Sequence, residues 1–181
     1  MSRFEEKQIS REEIFDGAVL HVVKDKILLP DGNTSFREFC LHKGAVAVIP
    51  VTDDNEVILV RQFRYAHHRE FLEIPAGKFD FIGEDPLEAA KRELEEETGA
   101  SAERYVDLGI LDTTPALIDE KIHMFLADGL SFGESHPDED EFLAVERIPL
   151  RQLVEMVMNG KIRDAKTQIA ILKAAKIKNI G

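Results

Sequence analysis

Hydrophobic and polar residues alternate along much of the chain with the two-residue period that is typical of β-strands. Residues 18–29 and 35–42 follow this pattern on either side of Pro30-Asp31-Gly32-Asn33, whose composition favours a turn, and so predict an antiparallel hairpin. Segments 44–51 and 56–64 are apolar at successive positions, which predicts strands that are buried on both faces. Later strands are predicted at residues 70–74, 104–111, 120–127 and 141–147.

Helical spacing replaces the strand pattern in residues 86–98. Asp85 is a good N-cap, Pro86 suits the first helical position, and Glu88 can reach back to complete a capping box. Gly99 can adopt the left-handed conformation that ends a helix. These local rules together predict a helix that begins at Pro86 and ends just before Gly99.

Two further helices are predicted near the end of the chain, at residues 150–158 and 165–176, where apolar residues recur at helical spacing. Strands before and after a central helix predict an α/β (α+β) fold of the mixed sandwich type. We expect residues 1–42 to form a small N-terminal antiparallel β lobe and residues 43–181 to form the main domain.

Composition narrows the possible partners. The 181 residues carry a formal net charge of −12, which argues against nonspecific binding to nucleic acid or to anionic membranes. No N-terminal segment has the apolar core of a signal peptide, and no apolar run approaches the roughly 18 residues needed to span a bilayer. One cysteine, Cys40, cannot form an internal disulfide, so we expect a cytoplasmic protein.

The predicted central helix has an apolar face and an acidic face. Glu93, Glu96 and Glu97 gather on one arc, where like charges repel unless a cation or full solvation compensates them. Carboxylate oxygens suit a hard divalent ion, Mg²⁺ or Mn²⁺, and the C-terminal end of a helix also favours a cation. On these residues alone, a solvated acidic face without a metal explains the pattern equally well.

The sequence around this helix resembles the signature of the Nudix hydrolase family, in which a Gly, a Glu and an Arg-Glu-rich segment recur at fixed spacing. The matching residues are Gly77, Glu84, Arg92, Glu93, Leu94, Glu96, Glu97 and Gly99. The interval from Gly77 to Glu84 is one residue longer than in the family, and the closing position holds Ala100 instead of a larger aliphatic residue. Residues 60–77 and both ends of the chain resemble the ADP-ribose and nucleotide-sugar pyrophosphatase branch, so nearly the whole chain is covered.

The resemblance implies a Nudix-type α/β/α sandwich and an Mg²⁺-dependent enzyme, with Mn²⁺ as an alternative. The implied reaction is hydrolysis of the diphosphate bond of ADP-ribose, or of a related nucleotide sugar such as GDP-mannose, to a nucleoside monophosphate and a sugar phosphate. The alternative functions are those of a noncatalytic Nudix module that binds a nucleotide as a sensor, and of a purely structural acidic domain. The branch also implies a homodimer formed through the N-terminal lobe.

The resemblance assigns roles to several residues near the acidic helix. The predicted metal ligands are the carbonyl of Ala76, which we expect in a Pro-Ala-Gly turn, and the carboxylates of Glu93, Glu96 and Glu97. Arg92 is expected to orient these carboxylates. The general base is predicted to be a box glutamate, Glu96, or a glutamate of the acidic loop, Glu139 or Glu141.

Four further residues are predicted to contact the substrate. Arg61 and Arg64 could hold phosphates bidentately, or could merely solvate a strand end. Glu73 could be an additional metal or substrate ligand, or could form a surface salt bridge. Pro115 lies 15 residues past Ala100, where a proline accompanies activity on ADP-ribose in the resembled branch.

Overall fold

A computed structural model describes residues 3–136 and 142–180. The chain divides into two compact units. The first contains Met1–Lys43 together with Asp112–Lys121, and the second contains Gly44–Leu111 together with Ile122–Gly181. Residues 112–121 therefore belong with the N-terminal unit, although they lie far from it in sequence.

The N-terminal unit is built on a three-stranded antiparallel sheet in the order β1-β2-β3. Its strands are β1 (Lys7–Asp16), β2 (His21–Leu28) and β3 (Thr34–Leu41). The predicted hairpin is confirmed as β2 and β3. Strand β1 escaped prediction because all of its residues are exposed, so it carries no buried apolar face that a sequence pattern could reveal.

The central strand of this sheet has a small buried face. Val23 and Ile27 are buried, and the carboxylate of Asp25 lies between them in sequence on the same face. Arg11 of β1 donates two hydrogen bonds to Asp25, both of 2.7 Å. This pair of hydrogen bonds from the guanidinium offsets the cost of burying the carboxylate and holds the pKa of Asp25 below its ordinary value.

The second unit contains the helices and most residues of the other seven strands. Its strands are β4 (Ala45–Pro50), β5 (Glu56–Arg64), β6 (Arg69–Glu73), β7 (Ala76–Lys78), β8 (Ala100–Asp112), β9 (Lys121–Phe132) and β10 (Ala144–Pro149). Its helices are α1 (Pro86–Thr98), α2 (Leu150–Met158) and α3 (Ala165–Ile177), and a 3₁₀ turn spans Tyr65–His67. The strands form an antiparallel sheet, β10-β5-β6, and a mixed sheet, β7-β4-β9-β8, in which β4 and β9 are parallel.

Strand β4 is buried on both faces. Ala47 and Ile49 belong to a large apolar cluster that includes residues of α2 and α3, whereas Val46 and Val48 belong to a second cluster with Ala90 and Leu94 of α1. Because side chains alternate along a strand, helices cover both sides of the mixed sheet. The predicted α/β/α sandwich is thereby confirmed.

Helix α1 has the predicted bounds, and local hydrogen bonds explain both ends. The Asp85 carboxylate accepts from the backbone N–H groups of Leu87 and Glu88, at 2.9 and 3.1 Å, and Gly99 has a φ of 66°. The predicted capping box is wrong in one detail, because the Glu88 side chain pairs with Lys91 instead of reaching back to the cap.

Other boundaries differ from the prediction. Ala76 and Gly77, predicted to lie in a Pro-Ala-Gly turn, form with Lys78 the short strand β7 against β4. Strand β8 begins at Ala100, directly after α1, and β9 continues to Phe132. Helix α2 has the predicted bounds, and α3 runs one residue further than predicted. In the described part of the chain, the helices are too short or too polar to cross a bilayer.

Two glycines that follow α1 and α2 allow a matched test of this geometry. Gly99 and Gly160 have nearly equal positive φ angles, 66° and 70°. A Cβ at Gly99 would come within 2.6 Å of the Gly133 carbonyl oxygen, whereas a Cβ at Gly160 would meet nothing within 4 Å. We expect Gly160→Ala to lower the free energy of unfolding by about 1–2 kcal/mol, the cost of a left-handed alanine. Gly99→Ala should lower it by distinctly more in urea unfolding, and equal losses would contradict this packing.

Candidate active site

Helix α1 directs two buried glutamates toward the backbone of β7. Glu93 and Glu97 are one helical turn apart and only 9% and 4% exposed. The backbone N–H of Ala76 donates to Glu97 Oε2 at 3.2 Å. A buried carboxylate is costly unless positive charge compensates it, so a cation would be stabilising at this face of α1.

The close approach of Glu93 depends on Gly77. A Cβ on Gly77 would lie 2.0–2.1 Å from the carboxyl atoms of Glu93, so a side chain at residue 77 would displace this carboxylate. The absence of a side chain at residue 77 therefore makes room for the carboxylate against β7. Ala76, Gly77, Glu93 and Glu97, which the sequence places in two separate segments, are brought together here.

Arg92 is the central cation of this region. Its Nη1 donates to Glu93 Oε1 at 2.7 Å and to Glu96 Oε2 at 3.0 Å, and its Nη2 lies 3.4 Å from Glu84 Oε1. Asp80 lies 3.5 Å from its Nε. Burial disfavours the charged guanidinium, but these carboxylates outweigh burial and raise the pKa of Arg92 above its ordinary value. The arrangement fits the predicted role of Arg92 in orienting carboxylates.

The predicted metal ligands are all oxygen atoms, which is the kind of ligand that a hard divalent metal ion prefers. Within the described residues, no group of three Asp, Glu, His or Cys side chains forms a ready-made metal site. The predicted set combines the Ala76 carbonyl with three carboxylates, of which Glu93 and Glu96 are paired with Arg92. Glu93 and Glu97 flank the Ala76–Gly77 backbone, so hard oxygen donors lie together where a Cβ is missing.

Glu73 lies at the centre of a buried ion network. Its side chain is 2% exposed, and Arg64 donates to both of its oxygens at 2.8 Å. Lys166 of α3 donates to Oε2 and also lies 3.1 Å from Asp164. Burial alone would raise the pKa of Glu73, but Arg64 and Lys166 outweigh burial and lower it to about 2.

A side-chain hydrogen bond continues this network to the backbone beside the site. The N–H of Ile74 donates to Thr167 Oγ1 at 3.0 Å, and the Thr167 hydroxyl donates to Asp164. Sequence reasoning missed Lys166 and Thr167. They are 93 residues from their partners, and the one local signal, an Asp164 N-cap for α3, does not identify Glu73 or Ile74.

The remaining predicted residues are Arg61, Pro115 and the two glutamates of the acidic loop. Arg61 pairs with Glu146 of β10 rather than with the glutamates of α1. Pro115 lies in a turn of the N-terminal unit. Glu139 and Glu141 fall outside the described residues, but the loop that leads to them is anchored at α1, because the N–H of His136 donates to the Glu96 carbonyl at 3.0 Å.

Fold and site together are those of a Nudix-type hydrolase. A model of the NUDIX domain matches residues 41–169, so the chain belongs to this family, which confirms the family predicted from the sequence. Nudix hydrolases generally need a divalent metal.

Two curated relatives match nearly the whole chain. The ADP-ribose pyrophosphatase of Bacillus subtilis (strain 168) is 43% identical over 173 residues, which cover 94% of this chain and 93% of that protein. The methanol dehydrogenase activator of Bacillus methanolicus is 44% identical over 170 residues, which cover 93% and 91%. A solved structure described as an ADP compounds hydrolase superposes over all of both chains with a TM-score of 0.85, and at 23% identity this likeness shows the fold.

The ion network predicts an acid-dependent loss of stability. Because the folded-state pKa of Glu73 lies near 2, below its ordinary 4.5, ionised Glu73 stabilises the fold fully above about pH 4.5. This contribution is lost as the pH falls toward 2. Glu73→Gln should lower stability at pH 7, where Arg64 and Lys166 lose a buried charged partner, and should flatten the decline between pH 4.5 and 2.

Chemical unfolding at a series of pH values measures both effects. The decline should be flattened and not abolished, because the pKa of Asp128 is also lowered to about 2. Glu95→Gln is the matched control, since Glu95 is an exposed residue of α1. An unchanged pH slope in Glu73→Gln would show that the network does not stabilise the fold in this way.

Proposed function

We propose that the protein is a Mg²⁺-dependent pyrophosphatase that hydrolyses the diphosphate bond of ADP-ribose or a related nucleoside diphosphate sugar. For ADP-ribose the products are AMP and ribose 5-phosphate. The observation that carries the proposal is the burial of Glu93 and Glu97 against the backbone of Ala76 and Gly77. Similarity to an ADP-ribose pyrophosphatase over 94% of the chain supports the substrate class.

In this proposal Ala76, through its carbonyl, and Glu93, Glu96 and Glu97 hold Mg²⁺, with Mn²⁺ as an alternative. The metal, when bound, supplies charge neutralisation of the diphosphate and a water of lowered pKa. Arg92 holds Glu93 and Glu96 in position through its two hydrogen bonds. Glu96, or Glu139 or Glu141 of the acidic loop, accepts a proton from the attacking water.

Substrate binding is assigned to residues outside α1. Arg61 and Arg64 lie on β5 and contribute positive charge for the phosphates, and Glu73 orients Arg64 through a bidentate ion pair. Pro115 is proposed to contribute to the choice of ADP-ribose. GDP-mannose and other nucleotide sugars are the alternatives for the same chemistry.

A second candidate function is regulatory. One relative, 44% identical, is named as an activator of methanol dehydrogenase. This name raises a regulatory role as the alternative, and a Nudix module that binds a nucleotide without hydrolysing it is one form that such a role could take. The burial of Glu93 and Glu97 favours catalysis instead. A nucleotide is itself negatively charged, so binding it does not require buried carboxylates.

The decisive experiment compares Glu97→Gln with Glu95→Gln. The glutamine amide oxygen of Glu97→Gln can still accept a hydrogen bond from the Ala76 N–H, so this variant removes the charge and keeps the shape. We expect Glu97→Gln to reduce AMP release from ADP-ribose with Mg²⁺ by about a hundredfold or more, since even residues that only support a metal ligand cost 10–100-fold. Glu95 is exposed on the same helix, and Glu95→Gln should retain activity.

A panel of nucleotide sugars with different bases, assayed in the same way, ranks the substrates. Hydrolysis that is equal in the two variants would contradict the assigned metal site. Binding of ADP-ribose without release of any nucleoside monophosphate would support the sensor module instead.

We also propose a cytoplasmic homodimer formed through the N-terminal unit. Its sheet exposes a number of large apolar side chains, including Ile9, Ile14 and Phe36, each at least 51% exposed. Large apolar side chains exposed on one small unit favour association. Light scattering should give twice the 20.5 kDa chain mass. Ile9→Lys/Ile14→Lys should shift it to one chain mass, whereas Met158→Lys, at an exposed apolar residue of the other unit, should not.

A further inference from the structure

A surface pocket of the second unit (Gly44–Leu111 and Ile122–Gly181) lies beside the edge strand β6 and the loop between α2 and α3. Four of the nine residues that line it are basic: Arg61, Arg69, Lys161 and Arg163. We call this concavity the basic pocket. None of its lining residues belongs to the segment from Gly77 to Gly99, and only Arg61 is among the predicted substrate contacts.

The positive charge of the basic pocket is not balanced by its carboxylates. Glu70, the acidic residue among its described lining residues, lies 3.9 Å from Arg61, and Glu146 pairs with the same Arg61. Lys161 and Arg163 form no ion pair with any described residue. In a chain with a net charge of −12, such a local surplus of positive charge favours an anionic ligand.

The basic pocket is also held in shape before any ligand arrives. The guanidinium carbon of Arg69 lies 4.2 Å from the centroid of the Phe71 ring, and the ring of His67 packs against Phe71 at 5.1 Å. A guanidinium that lies over an aromatic ring is held by the cation–π attraction, and its N–H groups remain able to donate. The backbone N–H of Lys161 donates to a carbonyl of α2 at 2.9 Å, and the next side chain, Ile162, is 2% exposed.

We propose that the basic pocket binds a phosphate dianion, either free or as a phosphomonoester. Forked guanidinium groups match phosphate oxygens in geometry as well as in charge. Because Arg69 already covers the Phe71 ring, the phosphate group and not an aromatic base is the feature recognised. The basic pocket shares only Arg61 with the proposed substrate contacts and uses none of the glutamates of α1, so phosphate binding can be tested separately from the proposed hydrolysis.

Calorimetric titration of EDTA-treated protein with inorganic phosphate and with ribose 5-phosphate tests the basic pocket without metal. Wild-type protein should bind saturably, and binding should weaken as salt is raised. Lys161→Gln/Arg163→Gln should weaken binding about tenfold or more, because hydrogen bonds to charged groups are lost. Both side chains are exposed, so the variant should fold normally, which circular dichroism checks.

A control variant locates the site. Lys176→Gln removes an exposed basic residue of α3 outside the pocket and should bind as wild type does. Absence of saturable binding, or equal affinity in the double variant and the wild type, would overturn the proposal. Binding of ribose 5-phosphate much tighter than inorganic phosphate would identify a phosphomonoester as the ligand.

Discussion

The burial of strand β4 on both faces is the constraint on which the candidate site depends. Val46 and Val48 pack with Leu94 of α1, while the alternate residues of β4 pack toward α2 and α3. Strand β7 pairs with β4 in the mixed sheet. Because α1 packs on β4, it also comes close to β7. The glutamates of α1 reach the Ala76–Gly77 backbone for this reason.

The backbone from Ile74 to Ala76 is anchored by three different elements. The N–H of Ile74 donates to Thr167 of α3, the Pro75 carbonyl accepts from Val48 of β4, and the N–H of Ala76 donates to Glu97 of α1. Glu73, one residue earlier, is fixed by ion pairs with β5 and α3. A segment restrained at each successive residue presents its carbonyl groups in one geometry, which is what preorganised binding requires.

Features set by neighbours in sequence were predictable, and features set by distant neighbours were not. Helix α1 was located from Asp85, Pro86 and Gly99 because capping involves residues three or four apart. Strand β7 was mistaken for a turn because its three residues become a strand only by pairing with β4. Likewise, a single sequence shows that Glu73 is acidic but cannot show that Lys166, 93 residues later, neutralises it. The motif located the glutamates, whereas tertiary packing determines their burial.

Negative charge is concentrated around Arg92 in the second unit. Around Arg92, a single guanidinium faces carboxylates at Asp80, Glu84, Glu93 and Glu96, and the buried Glu97 lies one turn from Glu93 on the same helix. These five carboxylates outnumber the guanidinium that pairs with four of them, and the C-terminal end of α1 adds further negative potential. A divalent cation would lower the electrostatic free energy of the acidic cluster more than a second guanidinium would, because it brings two positive charges instead of one.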